Sequence, residues 1–325
     1  MIDLHLHLDG SVSPSTLIKI AKKENIDIPS FDESELVKFL ECPIDCKSLN
    51  DYLTRFDLPG LVMQSKYGLS EIMYDLLSRL NEQGLIYTEV RFAPQLHLKK
   101  GLTQKEVVEA VLDGMNKAMK DFPIKAQLIL CCMRGEHNHE LNLETVRVAK
   151  EFLNKGVCAI DLAGAEALFK TYTFNEEFKL ARELEIPFTI HAGESDSIDS
   201  IKTAIEFGAR RIGHGIRAVD DEEFMNYLSK NKIGIEMCPN SNLQTKAVQN
   251  INEYPLKTFL NHGMLVTINT DNMTVSQTTI KKEFELLEEQ LKITQTEKEK
   301  LLRNAVEISF TDEETKKELL RRMWL

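Results

Sequence analysis

The sequence predicts an α/β protein folded as a (β/α)8 barrel of the TIM type, with extra helices after the first strand and at the C-terminus. Three observations predict it. Eight short runs rich in β-branched residues alternate with longer amphipathic patterns. Unusual polar residues cluster at the C-terminal ends of the first, fifth, sixth and eighth runs, whereas an open sheet would gather its ligands at one crevice. No Pro-, Gly- or Ser-rich linker breaks the rhythm, so residues 1–325 read as one domain.

The first run is IDLHLHLD (2–9), in which Ile2, Leu4, Leu6 and Leu8 alternate with Asp3, His5, His7 and Asp9. Successive side chains of a strand point to opposite faces, so one face is aliphatic and the other is a column of carboxylates and imidazoles. The remaining strands are expected at 85–94, 124–132, 157–164, 187–194, 210–215, 232–239 and 265–272. The long segment 30–83 between the first two strands reads as helical and is expected to lie over the barrel rim as a lid. The segment 103–122 places Val107, Val108, Val111, Met115 and Ala118 on one stripe, with Thr103 and Glu106 spaced for a capping box. Further helices are expected at 143–153, ended by Gly156, and at 196–207, 220–230 and 278–291. Two amphipathic helices are expected within 295–325, the last capped by Thr311 and Glu314.

An apolar fraction of 42% describes an ordinary globular chain with a sizeable core. The net charge of -11 repels phosphate backbones, which excludes nucleic acid as a natural partner and argues against anionic membranes. No apolar run approaches the roughly 20 residues that span a bilayer. Strand-like sequence begins at residue 2, so no signal peptide is expected and the chain is placed in the cytoplasm. The six cysteines are expected to be free core thiols. Cys42 and Cys46 lack the second Cys pair or the nearby His that a structural zinc site needs.

On the first strand, His5 and His7 stand about 7 Å apart along one face, close enough for two imidazoles to converge on one ion. The fifth strand ends in HAGE and brings His191 and Glu194; the eighth ends in NTDN and brings Asp271 and Asn272. Three imidazoles and one carboxylate satisfy a zinc ion and leave a position for water. His214, in RIGHG at the end of the sixth strand, is placed to take a proton from that water, and Glu194 to protonate the substrate. Glu194 also suits the N-terminus of the helix that follows. His137 and His139, in RGEHNHEL, read as solvated loop residues, and His97 and His262 receive no role.

In this order, HLHLDG, HAGE, GHG and NTD resemble the adenosine deaminase family of metal-dependent hydrolases. The resemblance spans nearly the whole chain and includes EVRFAP (89–94), DLAGAE (161–166), EMCPNSN (236–242) and NAVEISF (304–310). It implies one zinc ion per chain, held by His5, His7, His191 and Asp271. Glu194 matches the acid that protonates purine N1, and His214 the residue that orients and deprotonates the water. Asp9 matches the contact to the ribose 5′-hydroxyl, with His7 also near the sugar. Gly164 matches the backbone N–H that meets purine N3, and Tyr52, Leu53 and Phe56 match an apolar lid. The implied reaction is hydrolytic deamination of adenosine and 2′-deoxyadenosine in purine salvage.

Two positions depart from the commoner pattern. Asn272 stands where many members carry an aspartate that meets purine N7; an amide donates to N7 at any pH. Ala165 replaces a common aspartate in DLAGAE. Competing readings are weaker. A two-metal hydrolase needs a bridging lysine where the fourth strand ends DLAG. The Cys-rich zinc deaminases need a Cys pair that is missing here. AMP would want a basic phosphate cradle, for which only Arg210, Arg211 and Arg217 are candidates. Adenine, a 5′-modified adenosine, and a barrel that binds nucleosides without catalysis complete the alternatives. The small molecule is the one partner the sequence points to, and no obligate protein partner is evident.

Overall fold

The computed structural model describes residues 1–323. Eight strands form at the expected places: β1 Ile2–His7, β2 Tyr87–Phe92, β3 Lys125–Met133, β4 Val157–Ala163, β5 Thr189–Ala192, β6 Arg211–His214, β7 Gly234–Met237 and β8 Leu265–Ile268. Neighbours pair in parallel within two four-stranded arcs, β1 to β4 and β5 to β8. Hydrogen bonds close both seams. Ile160 N–H donates to Pro187 O (3.1 Å) between β4 and β5. On the other side Asp271, just beyond β8, is stitched to β1: its N–H donates to His5 O (2.8 Å) and its carbonyl accepts from His7 N–H (2.7 Å). The result is a closed barrel.

The alternation of β1 sorts as its pattern requires. Ile2, Leu4, Leu6 and Leu8 are all buried; Leu6 and Leu8 join the main core, while Ile2 and Leu4 pack on Ala305, Val306 and Leu319 of the C-terminal helices. The opposite face looks into the barrel, where Asp3 accepts from Thr270 Oγ1 (2.6 Å), Thr270 N (3.2 Å) and His5 N (3.1 Å).

Between β1 and β2 run the helices Pro14–Glu24, Glu33–Leu40, Leu49–Leu53, Asp57–Val62 and Lys66–Glu82. The last of these lies against Gln104–Asp121, joined by Ser70 to Asp113 (2.9 Å) and Tyr74 to Asp121 (2.8 Å). The capping box of Thr103 and Glu106 forms as expected. Pro14–Glu24 follows a Ser-Pro start that the apolar pattern alone does not mark; Ser13 caps it through Thr16 N–H (3.2 Å).

Two expectations are corrected. The helix expected at 143–153 spans His139–Phe152, so His139 is helical and not a solvated loop residue. Its ring is drawn to the acids of the neighbouring helix, meeting Glu177 at 3.0 Å and Glu176 at 3.2 Å. The side chain of His137, by contrast, is 94% exposed. The last helix, Glu313–Met323, is started by Asp312, whose carboxylate accepts from Thr315 N–H (2.8 Å). Thr311 instead accepts from Gln127 (3.1 Å). Residues 324 and 325 of that expected helix lie outside the described residues. All six cysteines are free and buried. No helix among the described residues is long and apolar enough to cross a membrane.

A buried carboxyl ties the helix Ile280–Gln290 to the short helix Pro239–Gln244 that follows β7. Glu283 accepts from Thr278 Oγ1 (2.6 Å), Asn240 Nδ2 (2.9 Å) and Asn240 N–H (3.1 Å). Burial outweighs these bonds and pushes its pKa up to about 7 from an ordinary 4.5. The unfolded chain then releases this proton first as pH rises, so stability is greatest below 4.5 and falls until pH passes about 7. Glu283→Gln removes that slope: relative to the parent, its stability rises by about 3 kcal/mol between pH 4.5 and pH 8, read by denaturant unfolding. A constant offset between the two proteins across that range counts against the buried neutral carboxyl.

Candidate active site

A cavity of about 240 Å³ opens at the C-terminal ends of the strands. Its floor is formed by His7, His191, Glu194, His214 and Asp271, one wall by Ala163, Gly164 and Met133, and its cover by Leu49, Tyr52, Leu53 and Phe56. Asp9 and Asn272 line the same space, and no Lys or Arg lines it among the described residues. The structure therefore brings together every site residue expected from the sequence, with His5 buried behind the floor.

Four donor atoms face one point. His7 Nε2 is 3.2 Å from His191 Nε2 and 3.3 Å from Asp271 Oδ1, and His5 Nε2 is 3.4 Å from the same carboxylate oxygen. Ligands bound at 2.0–2.1 Å in a tetrahedron stand about 3.4 Å apart, so these separations suit a small divalent ion. His5 Nε2 is buried without a hydrogen-bond partner, an orphan that a metal would satisfy. His5, His191, His214 and Asp271 also each offer an atom within 4.8 Å of the others.

The residues behind the donors fix their orientation. Glu236 Oε2 accepts from His5 Nδ1 (2.8 Å), and the Asp161 carboxylate stands against His191 Nδ1, with Oδ2 at 2.8 Å. Both rings therefore carry the proton on Nδ1 and turn the Nε2 lone pair to the centre. Arg91 bridges the two carboxylates, to Glu236 at 2.7 Å and Asp161 at 2.9 Å, and Arg211 Nε also reaches Glu236 (2.6 Å). Burial, then Arg91 and His191, lower the His5 pKa to about 4, so the ring is neutral at pH 7. Burial lowers His7 well below its ordinary value. Burial also opposes charge on His191, but Asp161 overrides it and raises that ring. Asp271 is lowered despite burial because His5 and its neighbours favour the carboxylate, and its other oxygen accepts from Ser241 Oγ (2.6 Å).

Glu194 is set apart by its surroundings. Burial raises its pKa, with His214 opposing. Thr245 Oγ1 donates to its Oε1 (3.1 Å), and His214 Nε2 stands 3.6 Å from Oε2. The loop that carries it is shaped by Glu166, which accepts backbone N–H groups of Gly193 (2.6 Å), Glu194 (3.0 Å), Ser195 (2.8 Å) and Asp196 (3.1 Å). Burial likewise pushes Asp9 up to about 6.

Backbone strain concentrates here. His214 and Asp271 adopt φ of 62° and 59°, a region costly for residues with a Cβ. Gly164, at φ 108°, suits its turn as only glycine does. Gly10 admits the Asn272 side chain, since a Cβ there would fall 1.8 Å from Asn272 Oδ1.

Sequence reasoning missed the supporting residues: Asp161, Glu236, Ser241, Asn242 and Thr245. The signal for the first two was present, as lone carboxylates inside the apolar strand runs AIDLA and IGIEM. The other three follow β7 on a short helix, Pro239–Gln244, and its C-cap, which carry no periodic pattern.

Fold and site define a (β/α)8 barrel with a His–Asp cradle for a metal ion beside a buried acid. A sequence model of the family described as adenosine deaminase matches residues 1–324. The adenosine deaminase of Haemophilus ducreyi is 48% identical over 324 residues, covering 98% of this chain and 94% of the relative. That of Enterococcus faecalis is 43% identical, covering 97% and 93%. Among solved structures, an adenine deaminase from Arthrobacter aurescens superposes with a TM-score of 0.89 at 25% identity, covering 98% of this chain and 96% of that one. The chain belongs to the adenosine deaminase family.

Two predictions test the supporting layer. Arg91→Leu strands two buried carboxylates, so it lowers stability by about 3–5 kcal/mol, measured by denaturant unfolding. His5→Ala removes the orphaned donor, so bound metal falls at least tenfold by elemental analysis of dialysed protein; full occupancy excludes His5 as a ligand.

Proposed function

We propose that the chain catalyses hydrolytic deamination of adenosine and 2′-deoxyadenosine to inosine and deoxyinosine with release of ammonia. The observation that carries the reading is Glu194, a buried carboxyl of raised pKa, beside the cradle on the floor of a cavity with an apolar cover. Burial favours the protonated carboxyl, which suits Glu194 as a proton donor to a ring nitrogen.

The cradle residues His5, His7, His191 and Asp271 would hold one zinc ion, whose borderline softness matches three imidazoles and a carboxylate. When bound, the metal supplies an activated water and Lewis-acid charge. The protein's residues do the rest. Glu194 gives its proton to N1, which relieves the charge that builds on the ring as its conjugation breaks. His214 holds the water against C6. The Gly164 N–H meets N3, the Asn272 amide donates to N7, and Asp9, with His7 nearby, accepts the ribose 5′-hydroxyl. Tyr52, Leu53 and Phe56 close the site to bulk water. The proton left on the added oxygen passes to the amino nitrogen, so the C6–N bond breaks and ammonia leaves.

Adenosine is favoured over adenine because the cavity continues past the cradle to Asp9. It is favoured over AMP because no Lys or Arg among the described residues lines the cavity. Arg211 is committed to Glu89 and Glu236, Arg217 donates to Ala247 O (2.9 Å), and Arg210 lines a different cleft. Buried free thiols suit a reducing cytoplasm, and the reaction suits purine salvage.

The test is a substrate panel of adenosine, 2′-deoxyadenosine, adenine, methylthioadenosine and AMP, followed by the ultraviolet shift on deamination. Adenosine and deoxyadenosine exceed the others at least tenfold in kcat/KM; a preference for adenine or AMP overturns the reading. Glu194→Gln keeps the metal and lowers kcat at least 10³-fold, about 4 kcal/mol of barrier. Metal-loaded protein that binds adenosine and releases no ammonia identifies a binding module.

A further inference from the structure

His5, His191 and His214 crowd one centre, with ring centroids 4.6–5.2 Å apart, yet the groups behind them differ in kind. Behind His5 and His191 stand carboxylates, which only accept. Behind His214 stands the Asn242 side chain, whose Nδ2 lies 2.9 Å from His214 Nδ1. An amide N–H only donates, so Nδ1 must offer its lone pair and the ring proton must sit on Nε2.

The orientation of that amide follows from its other end. Asn242 is fully buried, and its Oδ1 accepts from the Tyr254 hydroxyl at 3.1 Å. Turning the amide over would set Nδ2–H against the Tyr254 hydroxyl and deprive the buried Tyr254 proton of its acceptor. The chain Tyr254 O–H, Asn242 Nδ2–H, His214 therefore runs in one direction, and it ends on Nε2–H, 3.6 Å from Glu194 Oε2 at the floor of the cavity.

We propose that Asn242, anchored by Tyr254, is a positioning residue that holds His214 in the Nε2–H tautomer, so that this imidazole donates to the nucleophilic water and neither ligates the metal nor removes the water's proton. The inference deepens the deaminase reading and rests on it. Proton exchange then falls to Glu194, which gives its proton to N1 and, left as a carboxylate, takes one from the water. It also separates His7 from His214 as the third imidazole ligand. His214 has no lone pair at the centre, whereas His7 Nε2 lies within 3.2–3.3 Å of His191 and Asp271.

The test uses zinc-loaded protein labelled with ¹⁵N-histidine. The His214 signals are identified by their loss in His214→Gln, and two-bond ¹H–¹⁵N patterns report the tautomer. The parent shows Nε2–H at His214. Asn242→Asp replaces the donor with an acceptor of the same shape. It switches the ring to Nδ1–H and lowers kcat by about 10²–10⁴-fold, with KM within about threefold and metal content unchanged. A purely structural role would lower the melting temperature without this split. An Nδ1–H tautomer in the parent, or a kcat for Asn242→Asp within about threefold of the parent, overturns the proposal. Should Asn242→Asp not fold, the parent spectrum alone decides. The spectrum needs no turnover, so a parent that ignores adenosine defeats the deaminase reading and leaves the tautomer assignment to be read separately.

Discussion

The cradle depends on one buried bridge, Arg91 spanning Glu236 and Asp161 at 2.7 and 2.9 Å. In each carboxylate a single oxygen, Glu236 Oε2 or Asp161 Oδ2, meets both the guanidinium and a histidine Nδ1. Two rings on β1 and β5, nearly opposite in the barrel, are thereby referred to a single rigid side chain on β2. Arg91 cannot lose its charge, and its planar fork holds both acids in a defined geometry. Arg211 extends the network to Glu89, so three carboxyl groups meet two guanidiniums before any metal arrives. With Asp271 added, the barrel interior is biased toward accepting a cation, which offsets part of the cost of burying the charges.

The rim divides labour among its elements. β1 and β5 bring imidazoles, the residue after β8 brings a carboxylate, and the loop after β5 brings the acid. The short segment after β7 carries no group proposed to react, but it touches three that are: Ser241 on Asp271, Asn242 on His214 and Thr245 on Glu194. Holding all three from one element keeps their mutual spacing independent of the covering helices. The covering helix Leu49–Leu53 is tied instead to the loop after β8, where the Tyr52 hydroxyl bonds Ser276 at 2.6 Å.

Much of this was legible in the sequence because the strand repeat of two acts directly on composition. A polar residue on the inner face of β1 either has a partner or is costly, so a column reading Asp3, His5, His7 announces a site. All eight strands could be placed from such runs. What stayed hidden depended on contacts between distant residues. His139 looked like a loop residue until Glu176 and Glu177, from another helix, were beside it. Thr311 and Asp312 are both sound caps, and only the contact with Gln127 assigns Thr311 elsewhere. Asn242 sits in a six-residue helix without periodicity, and its partner Tyr254 lies twelve positions on.

Asp271 closes the barrel through its backbone while its carboxylate faces His5 and His7. The two partners belong to the first and last strands of the barrel, so the seam needs a polypeptide that already includes β8. Sealing the wall and completing the cradle are thereby one event: the backbone contact that joins the ends of the sheet also delivers the carboxylate.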